Sequence, residues 1–387
     1  TGENARRCVI GANNSVLDGF QVINGRNTAM GAGLYINNSS SIKIINVVFS
    51  NNVVLGKKGT QSSPLGGDAF GSCIYIANSS NMEIRSCEFK NNKTTAGDGV
   101  GDDMFRGGGG AWGGAIYSKS SIVSLEKCIF DSNSNTGGAG WPCGNSKGGA
   151  LCLDSSSLKL SMCEFRNNSS RGGGKRTIMS VWYPERDNET FGYGGAIYSA
   201  NKSVLDVYNC TFTSNVAAAH TAAGAFSAGI IFSSGYGGAI YTDSESIANL
   251  NHISFFNNSV HNTLEPVFWD RVYVYSMYSP QGGALFNGEN TTVIVKQCEF
   301  IGNSSVAGYH QTVVPSSRGG AIVNTASSEV IIVNSLFLNN SATTENNWVG
   351  SAIPGASQGG AIYNSAHAKL LASGNTFAKN ALSGNTF

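Results

Sequence analysis

The chain of 387 residues is 41% hydrophobic and only 13% charged, with a formal net charge of +1, which excludes the basic footprint of a nucleic-acid or anionic-membrane binder. Fifty glycines alone would argue for disorder, but the apolar share argues for a packed core. No run approaches the roughly 18 to 20 apolar residues of a membrane-spanning helix, and no secretory leader opens the sequence.

In chain order, residues 1–30 read as a degenerate first turn around Val16 to Asn27. From Gly31 one phrase then recurs nine times: Gly-Gly-Ala-Ile-Tyr or a near variant, a stretch of alternating residues, and Phe-x-x-Asn. The copies begin at Gly31, Gly71, Gly113, Gly148, Gly194, Gly237, Gly282, Gly319 and Gly359, and each reaches its Phe 17 or 18 positions later. The spacing between copies varies more, from 35 to 46 residues, so the unit is rigid and its connector variable. Residues 381–387 read as a truncated continuation. With the start at Thr1, this suggests a chain that lacks its natural caps at both ends.

Within a unit, inward apolar pairs such as Ile42 and Ile44, Leu158 and Leu160, or Val330 and Ile332 flank polar outward residues. Such period-2 alternation marks a strand buried on one face. A Cys two places before Phe in five units (Cys87, Cys128, Cys163, Cys210, Cys298) opens another strand, and Ala-Ile-Tyr supplies a third. Strands this short bury a core only by pairing with their counterparts one coil above and below. The expected fold is therefore all-β, a single-domain parallel β-helix over residues 1–387 with about ten rungs, three short strands per rung and long insertions at one corner. Right-handed coiling is the favoured sense for parallel crossovers. The Phe column (Phe89, Phe130, Phe165, Phe212) is expected to stack inside. The Asn column (Asn92, Asn133, Asn168, Asn215) is expected to form a hydrogen-bonded ladder beside it.

The paired phrases Gly-Gly-Ala-(Ile/Leu) and Phe-x-x-Asn resemble the repeats of the polymorphic membrane protein family of bacterial surface autotransporters. More broadly they resemble the pectin-lyase-like β-helix superfamily. The resemblance covers about residues 31 to 380 and implies a surface-displayed right-handed β-helix. For activity it implies little, because that superfamily spans adhesins, polysaccharide lyases, phage fibres and scaffolds.

Between each ladder Asn and the next Gly-Gly lie 14 to 25 residues, and all leave the same corner, so they should pile into one lateral ridge. All five tryptophans fall there. Trp112, Trp141, Trp182, Tyr183, Trp269, Tyr273, Tyr275 and Trp348 are the candidate interaction ridge. In one reading they fold back over the outward Tyr column (Tyr35, Tyr75, Tyr117, Tyr198, Tyr241, Tyr363) as a satellite core; in the other some stay exposed as a binding strip. A second anomaly is apolar: Ile294, Ile331 and Leu371 replace polar outward residues in the last three units, joined by Val333 and Leu336. This strip points to lateral or end-to-end self-association.

Signals for chemistry are sparse. The outward carboxylates Glu83, Glu88, Glu126, Glu164, Asp206 and Glu299 fall in shifting columns and read as solvated charges, not as the acid/base pair of a glycosidase. Asp98, Asp102 and Asp103 form a weak calcium candidate; no other metal and no cofactor is expected. The stacked cysteines read as small hydrophobes, with Cys143 and Cys152 the better disulfide pair. Of the Asn-x-Ser/Thr sites, Asn38, Asn78, Asn188, Asn201 and Asn290 are placed on outer turns or insertions and are the glycosylation candidates.

The function expected from these readings is a non-enzymatic, extracellular or cell-surface structural or adhesive rod, secreted and self-associating, and a candidate subunit of a surface fibre. Its further partners would be glycans or a surface receptor, with no nucleic acid and no membrane insertion in this segment. The alternative is a carbohydrate-active enzyme or glycan-binding spike.

Overall fold

A computed structural model describes residues 6–100, 107–140, 142–174, 188–219, 229–262, 274–275, 279–308, 316–344 and 357–383, with 188–189, 229–233 and 274–275 described by backbone alone. The chain coils through four parallel sheets of ten strands each, and among the described residues a smaller sheet of six strands lies to one side. Sheet A runs from Val9–Ile10 to Ile362–Asn364, sheet B from Val16–Asp18 to Lys369–Ser373, sheet C from Gln21–Ile23 to Thr376–Ala378, and sheet D from Arg26–Asn27 to Ala381–Ser383. Among the described residues no helix is long and apolar enough to cross a membrane.

Each rung thus carries four strands rather than the expected three. The extra one follows the ladder Asn directly, as at Val53–Leu55, Lys93–Thr95, Ser134–Thr136 and Ser169–Arg171. Its inward residue is fully buried in every rung from the second to the ninth, yet it is Val54, Thr94, Asn135, Ser170, Ala217, Val260, Ser305 and Ala342 in turn. Small residues of mixed polarity fill this narrow wall, so no hydrophobic alternation announces it. Ala381–Ser383, read from sequence as a fragment of a further unit, closes the tenth rung as its fourth strand. The first coil is likewise complete, with four strands between Val9 and Asn27.

The corners are made by single residues in the left-handed conformation. Between sheets B and C stand Asn46, Ser86, Lys127, Met162, Asn209, His252, Gln297 and Asn334, with φ between 50° and 56°. Between C and D stand Asn51, Asn91, Ser132, Asn167, Ser214, Asn257, Gly302, Asn339 and Lys379. Asn and Gly tolerate this region at least cost, which explains why the chain is rich in both.

Two internal columns run nearly the length of the coil and a third spans its second to seventh rungs. The Phe rings stack from Phe49 to Phe377 at centroid distances of 4.5 to 5.1 Å, nearly parallel, and all but the last are fully buried. Beside them each Asn amide is fully engaged. Asn168 Nδ2 donates to Phe130 O (3.0 Å) and to Asn215 Oδ1 (2.9 Å), while its own Oδ1 accepts from Asn133 N (3.1 Å) and Asn133 Nδ2 (3.0 Å). The same pattern links Asn52 to Asn92 and continues through Asn340 to Asn380. In the first rung Gly25 N takes the place of the missing Asn and donates to Asn52 Oδ1.

The third column is of serine and stands at the corner between sheets A and B. The backbone N–H of Ser39, Ser79, Ser121, Ser156 and Ser203 each donates to the next rung's Ser Oγ, up to Ser246, at 3.0 to 3.3 Å. In the last rungs an Asn trio at the end of sheet A continues the theme, Asn287 to Asn324 to Asn364 at 2.8 and 2.7 Å.

Replacing Asn168 by Ala strands the Asn133 donors in a dry interior and removes the amide that donates to Phe130 O, leaving Asn215 Oδ1 with the residue-168 backbone N–H alone, at about 1–3 kcal/mol for each buried group left unpaired. We expect Asn168→Ala to lower the denaturant midpoint far more than Asn167→Ala, whose exposed left-handed corner costs about 1–2 kcal/mol. Equal midpoints for the two variants would remove the ladder from the account.

Candidate interaction face

The lateral segments leave sheet D and return to the coil just before Gly-Gly. Their return strands form sheet E: Ala69–Phe70, Ala111–Trp112, Ser146–Lys147, Asn188–Tyr193, Gly229–Tyr236 and Val274–Tyr275. Where outgoing and returning segments pass they alternate in one layer of glycine backbone. Gly67 N donates to Lys57 O, Gly97 to Gly67, Gly109 to Gly97, Gly138 to Gly109, Gly144 to Gly138 and Gly173 to Gly144, all at 2.7 to 2.9 Å. No side chain fits between them: a Cβ on Gly97 would lie 2.0 Å from Lys57 O, and one on Gly138 2.0 Å from Gly97 O. The glycine clusters of these segments therefore read as a packed lamina that anchors the base of the ridge, a role that composition alone does not separate from loop.

Beside the lamina two outward columns meet. One is the residue after Ala-Ile in sheet A: Tyr35, Tyr75, Tyr117, Cys152, Tyr198, Tyr241, Phe286, Val323 and Tyr363. The other is the residue preceding Gly-Gly, which includes Phe70, Trp112, Lys147, Tyr193, Tyr236 and Arg318. Phe70 stacks on Trp112 at 4.6 Å and sets its ring edgewise against Tyr117 at 4.9 Å. Tyr193 meets Tyr241 at 4.9 Å, and Tyr236 meets Phe286 at 5.1 Å. Where the second column turns cationic, Lys147 Nζ lies 4.9 Å from the Tyr198 ring centre and the Arg318 guanidinium 5.1 Å from that of Tyr363. Each aromatic or cation–π contact of this kind contributes about 0.5–1.5 kcal/mol beyond burial.

This seam is a satellite core. Tyr117, Tyr198, Tyr241, Phe286, Phe191 and Tyr236 are buried in it, while Phe70, Tyr75, Trp112, Tyr193 and Tyr363 remain half-exposed along its rim. Trp112 therefore folds back over the Tyr column. Trp141, Trp182, Tyr183, Trp269, Tyr273 and Trp348 lie outside the described residues, and Tyr275 is described by its backbone only, in sheet E. The sequence signal for the seam was the residue before each Gly-Gly, read as loop although it stands in fixed register with the Tyr column.

Burial pushes the hydroxyls of Tyr198 and Tyr241 well above the ordinary tyrosine range. Tyr117 is raised by burial, then by the neighbouring Cys152 and Asp154, and donates to Asp154 Oδ2 at 2.9 Å.

The apolar strip lies on the outward faces of sheets B and C. Ile294, Ile331 and Leu371 are in register on sheet B; Leu371 is 46% exposed, and Ile294, Ile331, Val333 and Leu336 are half-exposed. Sheet C extends it with a column absent from the sequence reading, Phe256, Ile301 and Leu338, also in register and half-exposed. The same faces are charged in the earlier rungs. There Arg85 pairs with Glu83 and Glu126, and Arg166 with Asp131 (3.2 Å) and Glu164 (3.6 Å).

A shallow hollow of about 320 Å³ opens at the corner between sheets A and B of the last three rungs. Its one carboxylate, Glu329, is held by Lys369 at 2.6 Å. Asp98, the described member of the calcium candidate, accepts from Ala139 N at 2.9 Å, while Asp102 and Asp103 lie outside the described residues. Among the described residues no group of three His, Cys, Asp or Glu is placed to hold a metal. Asn38, Asn78, Asn201 and Asn290 are exposed, whereas Asn188 is described by its backbone, at the start of a sheet E strand. Cys152 is a free, buried thiol in the seam, so the pairing with Cys143 is not formed. Its side chain faces outward over sheet A in the Tyr column, where it fills an aromatic position as a small hydrophobe.

Three segments, residues 86–119, 209–243 and 334–365, match the Chlamydia polymorphic membrane protein repeat. Together they make up about a quarter of the chain. Each runs from a corner between sheets B and C, through Phe-x-x-Asn and the lateral segment, to the Tyr column. No curated protein and no solved structure matches the chain.

For these three tyrosines the folded pKa lies above the unfolded value near 10, so their contribution to stability is complete below about pH 10 and lost as pH rises beyond it. In an absorbance titration, Tyr198→Phe should leave the reversible phenolate step unchanged, because the buried Tyr198 takes no part in it. Loss of one tyrosine from that step in Tyr198→Phe would place Tyr198 in solvent.

Proposed function

We propose that this chain is a rigid, surface-displayed rod that acts by binding rather than by catalysis, with the aromatic seam and the lateral segments above it as its interaction face. The observation that carries this reading is the division of labour within each rung. The internal columns satisfy themselves from coil to coil, and the described parts of the variable lateral segments return beside the coil in one sheet, sheet E. The three matched repeats support display at a cell surface, and a parallel coil with long lateral segments suits an extended adhesive or fibre-forming surface.

Support for a binding role over polysaccharide cleavage comes from the carboxylates. Cleavage by the usual route uses two carboxyl groups facing one bond, about 5 to 9.5 Å apart. Among the described residues Glu83, Glu126, Glu164, Asp131 and Glu329 stand in ion pairs with Arg or Lys, and the polar hollow holds one carboxylate only. Extracellular glycans or a protein receptor are the partners that half-exposed Trp and Tyr rims favour.

A second reading, compatible with the first, is self-association through the apolar half of sheets B and C. Columns of Ile, Leu and Phe there stand in register on a regular sheet face, and a contiguous exposed apolar strip is the usual mark of a contact surface.

Purified protein should bind intact cells or immobilised glycans and lose at least tenfold in affinity on Trp112→Ala with Tyr193→Ala, while Ile331→Asp with Leu371→Asp leaves that binding intact and shifts sedimentation towards the monomer. Release of oligosaccharide from any polysaccharide tested would overturn the non-catalytic reading; unchanged binding in the seam variant would move the interaction face elsewhere.

A further inference from the structure

Four thiols stand directly above one another inside the coil. Cys87, Cys128, Cys163 and Cys210 open the sheet C strands of four consecutive rungs, in register through the residues that follow them, and each is at most 2% exposed. In-register parallel neighbours are spaced about 4.8 Å apart, within the Cα window of a disulfide. Each thiol donates to a backbone carbonyl beside the column, Cys87 Sγ to Arg85 O (3.1 Å), Cys128 Sγ to Glu126 O (3.4 Å), Cys163 Sγ to Ser161 O (3.4 Å) and Cys210 Sγ to Tyr208 O (3.3 Å), and Cys163 N donates to Cys210 Sγ at 3.3 Å. The column has an internal reference: Cys298 occupies the same place two rungs further on, fully buried, but between Ile253 and Ser335.

We propose that this column is a redox-modification site that closes, under a peroxide oxidant, as two rung-to-rung disulfides, Cys87–Cys128 and Cys163–Cys210. Hydrogen peroxide converts one thiol to a sulfenic acid and leaves as water. The adjacent sulfur then attacks the sulfenic sulfur, the S–O bond breaks, and the departing hydroxyl takes the attacking thiol's proton as a second water. One peroxide is consumed for each disulfide formed. The outer pairing uses all four thiols, whereas a central Cys128–Cys163 bond would strand two.

Side chains on in-register neighbours point the same way, so closing the bond draws the Cβ atoms together from about 4.8 Å to about 3.8 Å. Such strained disulfides are the readily reduced ones, so the modification is reversible.

The test is stepwise peroxide treatment of the folded protein, followed by denaturation, alkylation of surviving thiols and peptide mapping. The expected result is loss of the four column thiols in pairs, with Cys87–Cys128 and Cys163–Cys210 linked peptides, Cys298 still alkylated, and full recovery after dithiothreitol. With Cys163→Val, Cys210 should stay reduced while the Cys87–Cys128 link still forms, and circular dichroism would verify that the coil is retained. Oxidation of Cys298 at the same rate, a Cys128–Cys163 link alone, or sulfinic acids in place of disulfides would each overturn the proposal.

Discussion

The structure depends on one requirement: a group buried in one coil must be satisfied by the same group in the next. An amide side chain meets it because it carries donors and an acceptor on one plane. Asn168 takes from the coil on one side what it gives to the coil on the other, and a column of such residues leaves no polar atom unpaired in its interior. A buried Asp or Leu at the same place breaks the relay at two rungs, which is why the position is Asn in nine successive coils. The stacked Phe rings beside it supply the apolar burial, about 1.5–3 kcal/mol for each fully enclosed side chain. The ladder sets the register in which they stack.

Much of this was legible in the sequence because the relay demands one residue type at one position. Phe89, Phe130, Phe165 and Phe212, with Asn92, Asn133, Asn168 and Asn215, are strict in identity, so the coil and its ten rungs could be counted. The fourth sheet was not legible, because Thr94, Asn135, Ser170 and Ala217 share only their small size, and size alone has no period in a hydropathy reading. The serine column was hidden in the same way: Ser79, Ser121 and Ser156 sit at a corner where serine is ordinary, and only the structure reveals that each Oγ receives a buried N–H from the preceding rung.

The candidate face was half legible. Aromatic enrichment between Asn and Gly-Gly was evident, but the partners were not. The residue just before Gly-Gly proved to be in register with the outward Tyr column, so Phe70 and Tyr193 pack against Tyr117 and Tyr241, and Trp112 stacks on Phe70, rather than extending free. Glycine was the most misleading signal. In Gly97, Gly109 and Gly138 the missing side chain permits backbone to lie on backbone, so the most glycine-rich segments are among the most closely packed.

The central claim is that the ladder, more than the surface or the lateral segments, holds the rungs together. Native-state hydrogen exchange resolved to single amides tests it directly, since the backbone N–H of each ladder Asn donates to a side-chain oxygen of the next rung. The account predicts that Asn92, Asn133, Asn168, Asn215, Asn258 and Asn303 are among the slowest amides of their rungs and exchange at similar rates along the coil. Fast exchange at these positions while sheets A and B remain protected would contradict it.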